Sequence, residues 1–142
     1  WRAAGEPEAQ NPVTFTDVPA DAFFAPAFAW AAENGIVKGV GGSMAAPYSL
    51  VTREQMVTIL WRYAKYKGYD VSVGEETNIL SYDDAFEIAE YAIPAMQWAC
   101  GSGLLVGEKT ASGGMVLNPQ NKTTRAQLSM MLIHFDTWMK QA

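Results

Sequence analysis

The chain has 142 residues, of which 49% are apolar and 18% charged, so it can build a packed core and is not a disordered segment. Fifteen acidic residues against ten basic ones leave a net charge of −5, which argues against a phosphate-neutralising nucleic-acid binder. One cysteine (Cys100) and one histidine (His134) exclude a disulfide framework, a cysteine-based zinc site and a multi-histidine metal centre. No apolar run approaches the roughly 20 residues that span a bilayer, so membrane insertion is not expected.

In chain order, Trp1-Arg2-Ala3-Ala4 matches Trp61-Arg62 further on. It reads as the last turn of a preceding unit, joined by a linker to residue 14. Phe15-Thr16-Asp17-Val18 then opens a unit over residues 15–66. Phe24, Phe28, Ala31 and Ala32 recur at helical spacing, with Asp21 as the candidate N-cap and Gly35 at the C-cap position. After an apolar plug, Ile36-Val37, and a glycine-containing loop, Thr52 and Gln55 form a capping-box pattern. Met56, Ile59, Leu60 and Tyr63 line the helix that follows.

Residues 67–81 read as a polar linker, and residues 82–142 repeat the unit. Tyr82-Asp83-Asp84-Ala85 matches Phe15-Thr16-Asp17-Val18. Trp98-Ala99 and Gly103 to Gly107 match Trp30-Ala31 and Gly35 to Gly39 at an offset of 68. Pro119, Thr124, Arg125 and Gln127 match Pro47, Thr52, Arg53 and Gln55 at an offset of 72. Ile88, Ala92, Met96 and Ala99 mark the first helix, with Pro94 as a kink or a new start. Leu128, Met131, Leu132 and Phe135 mark the second.

This ordered set, present twice, resembles the S-layer homology family. The carrying motifs are Phe15-Thr16-Asp17-Val18, Gly35-Ile36-Val37-Lys38-Gly39 and Val51-Thr52-Arg53-Glu54-Gln55, with their counterparts Tyr82-Asp83-Asp84, Gly103-Leu104-Leu105-Val106-Gly107 and Thr123-Thr124-Arg125-Ala126-Gln127. Ala45, Tyr82, Ala85 and Thr123 depart from the family pattern. The resemblance implies an all-α fold: tandem helix–loop–helix modules packed in a pseudo-threefold bundle, an incomplete trimer here. It also implies a non-catalytic module that binds secondary cell-wall polysaccharide, often a pyruvylated glycan, and holds an exported protein at the bacterial cell surface.

The residues fit that chemistry. Arg53 and Arg125 each stand at a helix start, where free N–H groups and a guanidinium fork suit a carboxylate. Their alternative role is a structural salt bridge with Asp17 or Asp84. Gly35, Gly39, Gly103 and Gly107 would let a sugar approach the backbone, or serve as caps and turns. Trp30 and Trp98 offer flat faces for a sugar ring, or pack in the core. Asp17 and Asp84 are ligand contacts or, more simply, hydrogen-bond partners that orient an arginine. Lys38 and Lys122 read as solvated.

The acidic residues Glu75, Glu76, Asp83, Asp84, Glu87 and Glu90 fall on a linker and a helix surface rather than as the paired carboxylates a glycosidase needs. His134 has no nucleophile motif beside it, and Cys100 reads as a small core residue. Gly41-Gly42 and Gly113-Gly114 lack the Gly-Lys-Ser/Thr of a phosphate loop, so neither an enzyme nor a cofactor is expected. The methionine-rich stretch 130–139 suggests a partner face. Two consequences are expected of it: self-association through a face left bare by a missing unit, or a protein–protein scaffold that binds no glycan.

Overall fold

A computed structural model describes all residues, Trp1 to Ala142. The chain is mainly helical, and it divides into two compact units, Trp1–Ser49 and Leu50–Ala142. The division falls inside the 15–66 stretch, so the helix opened by Thr52 packs with the elements that follow it.

In the first unit, a 3₁₀ turn at Arg2–Ala4 precedes α1, Ala25–Glu33. Asp21 does not cap α1. The helix starts after Phe24 without a side-chain cap, and Pro26 in its first turn supplies a preset φ and lacks an N–H that would be orphaned there anyway. The Glu33 carboxylate accepts from the Gln10 and Asn11 N–H groups at 3.0 and 2.7 Å, which ties the N-terminal segment to the end of the helix. Phe15, Trp30 and Ile36 are buried, and Phe28 meets Phe15 and Phe24 edge to face.

The second unit opens with α2, Arg53–Tyr66. The expected linker is not a loose tether. Asp70 turns the chain at Ser72, a 3₁₀ turn covers Ser72–Gly74, and Gly74 sits so close to α3 that a Cβ would lie 2.8 Å from the Trp98 nitrogen. Neither Ile88 nor Ala92 belongs to the helix: Ile88 is the extended residue after a 3₁₀ turn, Ala85–Glu87, and Ala92 ends another, Glu90–Ala92. The helix proper, α3, is Ile93–Gly101, and Pro94 starts it as Pro26 starts α1.

Then come a short antiparallel hairpin, β1 (Glu108–Lys109) with β2 (Met115–Val116), and α4, Arg125–Gln141. Both α2 and α4 carry the expected capping box. The core of this unit gathers Val57, Leu60, Met96, Trp98, Leu117 and Phe135. Tyr63 and Trp98 meet Phe135 edge to face, and Trp98 meets Trp138 in the same way, so α4 is held by aromatic edges.

The hairpin also accounts for the two sequence offsets. Glu108 faces Val116 across the ladder, as Val40 bonds Met44 in the first unit. Five residues lie between β1 and the start of β2, but the first unit closes the same turn through Gly41 and Met44. The added residues fall between the glycine turn and the following proline, where the offset rises from 68 to 72.

Candidate functional site

The helix-opening arginines share a Thr-Arg-x-Gln pattern and have different surroundings. Arg53 is 8% exposed. Its Nε donates to the Leu117 carbonyl at 2.9 Å, and Nη1 lies 3.5 Å from Glu108 Oε1. Arg125 is exposed and makes no ion pair. The salt-bridge role is thus filled at Arg53, by Glu108 rather than by Asp17 or Asp84.

The two aspartates are gripped by backbone instead. Asp84 accepts from the Leu117 and Asn118 N–H groups at 2.8 and 2.7 Å, and Asp17 does the same with Ala45 and Ala46 at 2.8 and 2.7 Å. Ala46 and Asn118 both have positive φ, 51° and 52°, immediately before Pro47 and Pro119. A following proline disfavours the right-handed helical region, and the carboxylate across two successive N–H groups holds the rarer left-handed one. Hydrogen bonding from Ala45, foremost, and from Ala46 holds the Asp17 carboxyl below its ordinary value, against the opposing effect of burial.

Glu54 was not marked from sequence, yet it is buried beside Arg53. Its carboxylate accepts from the Ala89 N–H at 3.0 Å and from Gln120 Nε2 at 2.8 Å. Burial, and then the Glu54 charge, push the Tyr91 phenol up. The starts of α2 and α4 lie side by side: Thr52 and Lys122 form a bridge, Thr123 N–H donates to Val51 O, and Arg53 N–H donates to Asn121 O. The visible hint for Glu54 was that Ala126 stands at its matching position, but its partners are distant in sequence.

The remaining expected residues separate into two kinds. Trp30 and Trp98 are both buried; Trp98 meets Phe135 and Trp138 edge on, so its ring belongs to the core. Gly35 and Gly103 adopt positive φ, 69° and 75°, and nothing lies within 4 Å of where a Cβ would stand, so their outer side is open. Gly39 and Gly107 are closed by the protein itself: a Cβ would lie 2.6 Å from Met44 O and 2.5 Å from the Tyr82 ring.

The structure therefore brings Arg53, Asp84 and the Gly107–Glu108 corner together around Leu117 and leaves Arg125 open. A groove of about 480 Å³ in this unit lies elsewhere. Leu80, Phe86 and Ile93 line it and Glu75 and Glu76 edge it, a chemistry that repels an anionic ligand. Burial raises the Cys100 thiol to about 11, which fits the core role expected of it.

Comparisons with known proteins agree with the motifs. Residues 14–57 match the model of the S-layer homology domain. The chain is 31% identical over 126 residues to the Surface-layer 125 kDa protein of Lysinibacillus sphaericus, an alignment covering 89% of this chain and 10% of that protein. The chain thus spans about a tenth of that relative's length. No solved structure matches it.

Proposed function

We propose that this chain, which contains an S-layer homology domain, is a non-catalytic anchor that holds an exported protein at the bacterial cell surface by binding cell-wall polysaccharide. The family match and the surface-layer relative support the anchoring role. No helix is long and apolar enough to cross a membrane, so none of them offers a membrane span as the means of attachment. In this reading residues 15–66 and 82–142 are tandem modules of one pseudo-threefold arrangement.

The ligand we propose is an anionic secondary cell-wall polysaccharide, bound through a carboxylate such as a pyruvyl ketal. The carrying observation is the contrast between the arginines: Arg53 is spent on Leu117 and Glu108, and Arg125 is exposed at the start of a capped helix. Free N–H groups, the helix dipole and a guanidinium fork coincide at Arg125. Gly35 and Gly103 offer open backbone for a sugar to approach. Trp98 supports the site from the core rather than by stacking.

The test is cosedimentation with purified cell-wall sacculi, before and after acid extraction of their polysaccharide. Binding should disappear on extraction and weaken about tenfold or more in Arg125→Ala, a loss of about 1.4 kcal/mol. Binding that survives extraction unchanged would sink the glycan reading and favour the scaffold role.

A further inference from the structure

A carboxylate already sits at Arg53, and it belongs to the protein. Glu108 Oε1 lies 3.5 Å from Arg53 Nη1, and Glu108 Oε2 accepts from Asn118 Nδ2 at 3.1 Å. One oxygen meets a cation and the other an amide donor, which is how a protein recognises a free carboxylate.

The receiving groups are fixed, and the occupant is held loosely. Arg53 is buried, and its Nε donates to the Leu117 carbonyl at 2.9 Å. That bond sets the guanidinium in place and leaves Glu108 as its one ion-pair partner. Asn118 is anchored by its N–H, which donates to Asp84 at 2.7 Å, and by the fully buried Pro119 that follows it. The Glu108 side chain, by contrast, is 55% exposed and stands on a strand of two residues. Its 3.5 Å approach to Arg53 is longer than a charge-assisted hydrogen bond of about 2.7–2.9 Å. Water solvates such a carboxylate nearly as well as the arginine does, so the pair is weak.

The start of α2 adds no backbone donors to this site. Its first N–H groups are all taken within the chain: Arg53 by Asn121 O, Glu54 by Pro119 O, Gln55 by Thr52 Oγ1 and Met56 by Thr52 O. An anion here is therefore recognised by the outer edge of Arg53 and by the Asn118 amide. Charge imposes a further condition. Residues 117–120 gather three carboxylates (Glu54, Asp84 and Glu108) around one guanidinium. A fourth carboxylate would meet net repulsion, but exchange for Glu108 leaves the local charge unchanged.

We propose that Glu108 is an internal competitor for the anionic ligand. It occupies a carboxylate site made by Arg53 and Asn118, and a glycan carboxylate binds there by displacing it. Glu108 thereby sets the affinity of that site. The inference rests on the reading of the ligand as a carboxylate-bearing glycan. In the first unit Val40 and Ala46 stand at the positions of Glu108 and Asn118, so that unit has neither the competitor nor the amide.

The experiment is a nuclear magnetic resonance titration of the isotope-labelled chain. The probe is a methyl hexopyranoside carrying a pyruvyl ketal, with its methyl ester as the uncharged control. Four forms are compared: wild type, Glu108→Gln, Glu108→Gln with Asn118→Gly, and Glu75→Gln. Glycine at 118 removes the amide and keeps the left-handed backbone, and Glu75→Gln makes the same charge change elsewhere. Each form is first checked for a native spectrum.

In Glu108→Gln the Arg53 Nε–H and Asn118 side-chain signals should saturate with a Kd about two- to fivefold below wild type, the range an exposed ion pair can contribute. Asn118→Gly should abolish that gain, and the ester should move neither signal. Equal Kd values in wild type and Glu108→Gln would overturn the proposal. So would an equal gain in Glu75→Gln, because net charge alone would then account for it. Signals around Arg125 report the anchoring site separately. Shifts there with no gain at Arg53 would overturn this inference and leave the glycan reading standing. A gain at Arg53 with no shift at Arg125 would uphold it and remove Arg125 from the glycan site.

Discussion

Asp84 and Arg53 hold Leu117 from opposite sides. The Asp84 carboxylate takes the Leu117 N–H at 2.8 Å, and the Arg53 Nε–H reaches the Leu117 carbonyl at 2.9 Å. The two charged residues never meet, yet each fixes the peptide segment on which the other depends. Both are buried, so the loss of either strands a polar group away from water.

Arg53→Ala should accordingly cost about 2–4 kcal/mol of stability, because the Leu117 carbonyl is left unpaired and the buried stem leaves a void. Arg125→Ala, an exposed truncation, should lie within about 0.5 kcal/mol of wild type. Urea unfolding midpoints of the two variants measure the difference. Equal midpoints would mean that the two arginines have equivalent surroundings, contrary to the structure.

The Asp17 carboxyl lies below its ordinary 3.8 in the folded chain, chiefly because it accepts from Ala45. A carboxylate with a lowered folded value stabilises the fold at all pH above the unfolded value, and that contribution fades as pH falls through the folded one. Asp17→Asn should therefore melt below wild type at neutral pH, and the gap should narrow on acidification below about pH 4. A gap that stays constant or widens in acid would contradict the assignment.

Cys100 should be a poor nucleophile in the folded protein. Burial lifts its thiol to about 11, outweighing the opposite pulls of the Tyr82 hydroxyl and the Arg53 charge. At mildly alkaline pH its thiolate fraction is roughly 100-fold below that of an unperturbed cysteine. Iodoacetamide labelling should be slower in native buffer by at least that factor than in denaturant. Comparable rates would show the thiol to be open.

The glycine turns should tolerate alanine unequally. Gly35→Ala meets open space and carries only the left-handed backbone cost, about 1 kcal/mol. Gly39→Ala carries that cost and also drives its Cβ to 2.6 Å from the Met44 carbonyl, so a loss above about 2 kcal/mol is expected. Thermal melts of the pair provide the check, and a milder effect at Gly39 than at Gly35 would count against the close approach.

Much of this protein was determined by its sequence alone, for a physical reason. Capping boxes act over three residues, glycine turns over one, and helix periodicity over a few turns, so both second helices and the Gly35 and Gly103 turns were legible without coordinates. The duplicated order of those signals also carried the resemblance to the S-layer homology family. Helix starts were legible only in part. Asp21 is a good cap residue, but Pro26 sets where α1 begins, and of the apolar series expected on one helix Ile88 is extended and Ala92 ends a 3₁₀ turn.

Tertiary structure decided what each residue is for. Arg53 and Arg125 share the same capping box, and the change from Glu54 to Ala126 beside them does not tell which arginine is buried. Arg53 finds its carbonyl 64 residues away and its counter-ion on a hairpin, and Arg125 has neither. In the same way Trp98 joined the core because α4 brings Phe135 and Trp138 against it. Hydrogen bonds at helix ends are made with neighbours in the chain. Burial and ion pairing depend on what the fold brings from far along it.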